Sequence, residues 1–177
     1  MSKVFPSAKV KKIIDFSGFI FKTDTYYRFE TLDYEQLKEL IAIGAASLKD
    51  AQNSGPTIHK LINWIEENGY QKAVTLFGYV IFPPRVDARV TIDGLYLTVP
   101  GLEAVPECYN LALSAQPDDG EWTMVDVLPV VEGIMAAQSL NPTPLRVLRE
   151  VLTALPNASE EDFQIFGGAT VLRLWWD

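Results

Sequence analysis

Residues 73–99, AVTLFGYVIFPPRVDARVTIDGLYLTV, decide how this chain is expected to fold. Ala73 to Phe82 is almost continuously apolar, which fits a strand covered on both faces, and Pro83-Pro84 stops it. Ala88 to Ile92 and Leu95 to Val99 alternate on either side of Asp93-Gly94, a two-residue signal for a tight hairpin. Strand signals continue outward from this centre. Cys108 to Ala115 and Glu121 to Val125 read as a further hairpin around Gln116-Pro117-Asp118-Asp119-Gly120. Gly18 to Lys22 and Tyr26 to Glu30 read as two strands joined through Thr23-Asp24-Thr25, and Ala169 to Trp176 as a last one.

Helical periodicity fills the gaps. Thr31 or Asp33 can cap a helix reaching about Gln52, with Leu37, Leu40, Ile41, Ala45 and Leu48 on one stripe. Pro56 opens a second, with Ile58, Leu61, Ile62 and Ile65 on one face and Gly69 after its end; the two are expected to pair antiparallel. Asp126 reads as the N-cap of a helix to about Ser139, with Pro129 in its first turn, and another helix runs from Asn141-Pro142-Thr143-Pro144 to Ala154. Ser159-Glu160-Glu161-Asp162 resembles a capping-box start for a short last helix closed by Gly167-Gly168. Residues 7–14 fit either a short helix or a strand. The fold class that follows is α+β: a single domain over 1–177, with a largely antiparallel sheet of about five to seven strands packed by four or five helices. The lysine-rich segment 1–12 reads as a solvated tail or as an electrostatic partner for the acidic region.

Charge is distributed unevenly. The 177 residues carry 15 Lys+Arg and 23 Asp+Glu, a net charge of −8. The 56 residues from Val90 to Leu145 hold no Lys or Arg and eight acids: Asp93, Glu103, Glu107, Asp118, Asp119, Glu121, Asp126 and Glu132. Elsewhere the two signs balance. Such a balance opposes non-specific nucleic-acid binding, because the phosphate backbone repels it and no basic stripe is present. No apolar run approaches the roughly 18 to 20 residues needed to span a bilayer, so no membrane partner is expected. With Cys108 alone, no intrachain disulfide forms and a cytoplasmic location is expected. Cys108 and His59 cannot make a Cys/His zinc site, no cofactor is expected, and the phosphate-binding and nucleophile-elbow motifs are missing.

Four features hold candidate chemistry. His59, at the edge of a helical stripe with Asn63 and Glu66 one and two turns on, reads as a surface histidine or as a general base. Asp118, Asp119 and Glu121 read as a tight turn, or as carboxylates for a divalent ion, an acid/base pair or a partner contact. The early aromatics, Phe5 to Tyr34, read as core or as a docking face. Alternation places Trp175 and Trp176 on opposite faces, so one needs cover from this chain or from a second copy. Ser159 to Leu174, through its Ser-Glu-Glu-Asp start, Ile165, Gly167, Ala169 and Arg173-Leu174, resembles the last helix of metal-dependent amidohydrolases, but one histidine cannot supply that family's metal ligands, which leaves a capped helix feeding a terminal strand. The expected function is a non-catalytic protein–protein interaction or regulatory module that meets a basic partner through Val90 to Leu145. The alternative is a small-ligand-binding protein or a carboxylate-based, metal-assisted enzyme.

Overall fold

The computed structural model describes residues 4–14, 22–23, 25–117 and 120–176. Its elements are α1 (Ser7–Ile13), β1 (Lys22–Thr23), β2 (Tyr26–Leu32), α2 (Tyr34–Ala42), α3 (Ile58–Asn68), β3 (Val74–Ile81) and β4 (Arg89–Thr98). A 3-10 turn at Leu102–Ala104 follows, then α4 (Val105–Ser114), α5 (Met124–Ala137), α6 (Thr143–Ala154), β5 (Glu160–Phe166) and β6 (Ala169–Trp175). The strands form one sheet in the order β1-β2-β3-β4-β6-β5, every neighbouring pair antiparallel. This is the expected α+β class, with six α-helices among the described residues rather than four or five.

The centre of the sheet departs from expectation. Asp93-Gly94 makes no hairpin; β4 runs straight through it. Against β3, Phe77 lies opposite Gly94 and Gly78 opposite Ile92, so Asp93 is the extra residue of a β-bulge. Two glycines make room for it. A Cβ on Gly78 would collide with the Thr91 carbonyl, and one on Gly94 with the Phe77 ring and the Leu174 carbonyl. Asp93 is 3% exposed, accepts a hydrogen bond from the Thr91 hydroxyl at 2.8 Å, and offers its carbonyl to the Trp176 N–H at 2.8 Å. A turn dipeptide here serves strand packing, because β6 needs an unbroken neighbour.

Two further expectations invert. Cys108 to Ala115 is helical: Val105, Cys108 and Ala112 form a buried stripe at helical spacing, and Pro106 sits in the first turn, where its missing N–H costs little. Glu121 to Thr123 is a loop, and Met124 and Val125 already belong to α5. Conversely, Ser159 to Gly168 is no helix. It holds β5 and a two-residue turn in which Gly167 and Gly168 both have positive φ, at 58° and 83°, joining β5 to β6.

Helix ends were closer to expectation. Asp33 caps α2 with a reciprocal Gln36 contact, but the helix stops at Ala42, since Ile43-Gly44 ends it with Gly44 left-handed. Leu48 is exposed as a result. α3 begins at Ile58 with Thr57 as its cap, so Pro56 precedes the helix instead of opening it, and Gly69 closes it. Tyr34 at the start of α2 donates its hydroxyl proton to Glu66 near the end of α3. Thr123, not Asp126, caps α5, while Asp126 returns the contact as the third helical residue. Pro129 lies inside the helix and provides no N–H for the Val125 carbonyl. Residues 7–14 take the helical option, with Val10 and Ile14 buried. Of the first expected hairpin, Lys22–Thr23 pairs with Tyr26–Tyr27; residues 18–21 lie outside the described set.

One continuous core joins the helices to Leu76, Val80, Leu95, Leu97, Leu172 and Leu174 of the sheet. The opposite pleat carries a smaller cluster of Phe77, Tyr96 and Val171, with Phe166 and Trp175 against it. Tyr96 stacks on Phe166 and donates to Glu30, and burial followed by that contact pushes its phenol up to about 12.

Two glycines separate local propensity from packing. Gly94→Ala should lower stability by about 1–3 kcal/mol, the usual cost of overpacking. Gly133→Ala, where a Cβ meets nothing, should raise it by about 0.5–1 kcal/mol. Urea denaturation of both variants checks the pair, and a Gly94→Ala protein as stable as its parent would contradict the bulge geometry.

Candidate functional site

α5 is apolar nearly all the way round. Of its 14 residues only Asp126 and Glu132 are charged. Met124, Val127, Leu128, Val131 and Met135 fill the core. The outward positions are apolar too: Val125, Pro129, Val130, Gly133, Ala136 and Ala137 are all exposed. Val125 and Val130 are 41% and 39% exposed. An amphipathic surface helix carries polar residues on that side. α4 packs against α5 and exposes Leu111 and Leu113.

The exposed acids of α4, α5 and the segments leading into them meet one cation among the described residues, Arg149 of α6. Glu103, Glu107 and Glu121 are exposed. Asp126 is held by the Thr123 hydroxyl and N–H, which lower its pKa. Glu132 pairs with Arg149 of α6 at 3.3 Å, so the nearest cation comes from beyond the Lys/Arg-free segment. Asp93, the first of the eight acids, lies apart in the sheet. The described acids therefore do not share one surface, although five of them belong to α4, α5 and the segments leading into them.

At the amino end of α5 a cleft of about 240 Å³ is lined by Tyr109, Trp122, Thr123, Met124, Ala158, Ser159 and Glu161. Strand alternation builds its floor. Glu161 and Phe163 stand opposite Leu174 and Leu172 and so face the helices, whereas Glu160 and Asp162 face the other way. Arg173 is on that other side, bound to Glu160 and, at 2.8 Å, to Asp162. Glu161 is left to accept one N–H from Met124 at 3.3 Å. Burial raises its pKa, the Met124 N–H opposes this, and the nearby Asp126 charge adds to the rise. Burial and the Glu161 charge likewise raise the Tyr109 phenol.

The rings of the cleft are held in place. Tyr109 meets Phe163 edge to face at 5.5 Å. Trp122 is 40% exposed, yet its indole N–H donates to the Pro117 carbonyl at 3.1 Å and Gly120 lies so close that a Cβ would strike the ring.

The residues singled out from the sequence fall unevenly. Glu121 is exposed beside Trp122; Asp118 and Asp119 lie outside the described residues. Trp176 is 1% exposed within this chain's own core, and Trp175 is half-buried on the opposite face with the Arg173 guanidinium 5.9 Å over its ring. His59 is exposed, with Asn63 at 3.4 Å, while Glu66 engages Tyr34 and Lys38. Among the early aromatics, Phe29 and Tyr34 are buried, and Phe5 and Tyr27 pack on Phe82. No group of three or more His, Cys, Asp or Glu among the described residues is placed to hold a metal. No helix among them is long and apolar enough to cross a membrane. Glu161 and Tyr109 escaped the sequence reading because their segments were assigned the wrong periodicity; the Gly-Gly turn was the signal for a strand. Compared with family models, curated proteins and solved structures, the chain matches none.

Glu161 binds its proton more tightly folded than unfolded, so its ionisation costs stability as pH rises through and above the ordinary carboxylate range. Glu161→Gln should therefore raise Tm at pH 7 and change it less at pH 4. Thermal unfolding at the two pH values checks this; an equal change at both would show that the charge is not penalised.

Proposed function

We propose that this protein is a non-catalytic interaction or regulatory module, and that its partner docks along the outer face of α5. The observation that carries this reading is the exposed apolar strip from Val125 to Ala137 on a helix that is apolar on its buried side as well. Large exposed apolar patches rimmed by polar residues mark interaction surfaces. A 14-residue helix presents about 21 Å of length at 1.5 Å per residue, which suits a second helix laid alongside.

Charge selects the partner. The exposed acids Glu103, Glu107 and Glu121 belong to α4 and to the segments leading into α4 and α5, Glu132 of α5 is met by Arg149 of α6, and no Lys or Arg occurs from Val90 to Leu145. A second copy docking through the same face would bring these acids together, and like charges across an interface are costly. The complementary occupant is a different protein, with an apolar helical stripe flanked by Lys and Arg. The alternative of a ligand-binding protein or carboxylate enzyme has the cleft at Glu161 as its support. That cleft, about 240 Å³, falls below the roughly 300–1,000 Å³ of typical small-molecule sites.

A pair of amphipathic helical peptides with the same Leu stripe, one flanked by Lys/Arg and one by Glu, tests the proposal. The basic peptide should bind, less tightly as salt rises, and Val130→Glu should weaken it by about tenfold or more. Equal binding of both peptides, or of the basic peptide by parent and variant, would defeat it.

A further inference from the structure

We propose that the cleft at the amino end of α5 receives one arginine side chain of the docking partner, its guanidinium against Glu161 and its stem against Tyr109 and Trp122. The inference rests on the interaction reading above and specifies which partner residue anchors it. Three observations converge on a cation supplied from outside the chain.

First, Glu161 is a half-buried carboxylate with no cationic partner among the described residues. Among the described residues the groups that act on its charge are the Met124 N–H and a second acid, Asp126, whose Oδ2 already accepts from the Thr123 N–H and hydroxyl. Desolvated carboxylates are ordinarily paired. The basic residue of the same hairpin, Arg173, is committed to Glu160 and Asp162 across the sheet. The helices over Glu161 come from the segment that contains neither Lys nor Arg.

Second, the walls are aromatic and already ordered. Trp122 is fixed by its bond to Pro117 and by Gly120, and Tyr109 by Phe163, so their exposed faces are presented without further loss of rotamer freedom. Cations stack on such faces, arginine more often than lysine.

Third, the dimensions and polarity fit one side chain. A cleft of about 240 Å³ holds no cofactor-sized molecule, and besides Glu161 it is lined by Thr123 and Ser159. A guanidinium, with five N–H donors in a planar fork, matches the two oxygens of one carboxylate; an ammonium is a point charge. Trp122 lines the cleft, is exposed and lies just before the start of α5, so a helix lying on the apolar strip can reach it.

The indole N–H resonance of Trp122, assigned with Trp122→Phe, is the reporter. N-acetyl-arginine amide should shift it saturably, and the neutral isostere N-acetyl-citrulline amide should not. Glu161→Gln should weaken the arginine response about tenfold or more, and Val130→Glu should leave it unchanged. Equal responses to arginine and citrulline, or an unaltered response in folded Glu161→Gln, would overturn the proposal. In the latter case Glu161 only caps α5. The same two variants separate the two readings with the basic peptide. Loss of peptide binding in Val130→Glu but not Glu161→Gln keeps the docking face and removes the cleft. An arginine response that needs Glu161, with peptide binding indifferent to Val130→Glu, keeps the cleft and removes the face.

Discussion

The passage of β4 through the middle of the sheet is the constraint on which the other parts depend. At Gly94 the strand lies against the Phe77 ring on one side and the Leu174 backbone on the other, too close for any Cβ. The bulge at Asp93 absorbs the extra residue and lets β3 and β6 both pair with the same strand. Once β6 is seated, the Gly167-Gly168 turn places β5 at the sheet edge in a fixed register. That register assigns each of the three consecutive acids of β5 to a face.

Pleat alternation then makes charges that are neighbours in sequence behave differently. Glu160 and Asp162 share a face with Arg173 and both pair with it there. Glu161 turns toward helices drawn from the segment without Lys or Arg. Its lack of a cationic partner among the described residues has two causes, one in the register of the hairpin and one in the composition of the helices above it. Either alone would be unremarkable: an edge-strand acid near a lysine would pair, and an acidic helix over an apolar strand would be solvated. Together they leave a partly desolvated carboxylate next to fixed aromatic rings.

Much of the architecture was legible from periodicity. Leu37 and Leu40, Ile58 to Ile65, and Leu145 to Leu152 announce helices because their stripes repeat at 3.6 residues and tertiary packing agrees. The errors fall where short segments satisfy two patterns. Asp93-Gly94 suits a hairpin or a bulge, and only the partner strands decide which. Ser-Glu-Glu-Asp fits a cap, yet its acids alternate as strand residues once Arg173 is opposite. Cys108 to Ala115 alternates weakly while also carrying a helical stripe, and burial on α5 selects the helix. The candidate site suffered most from this, since Glu161 and Tyr109 both lie in reassigned segments.

By itself the sequence determined the α+β class, the positions of the long helices, the terminal strand and the absence of basic residues from Val90 to Leu145. These follow from local periodicity and composition, which need no knowledge of neighbours. Tertiary structure alone decided that Asp93 bulges, that Arg173 answers two of three acids, and that α5 shows apolar residues to solvent on the side away from the core. The reason is that hydrogen-bond register and side-chain pairing join residues far apart in the chain, and their energies appear only when those residues meet.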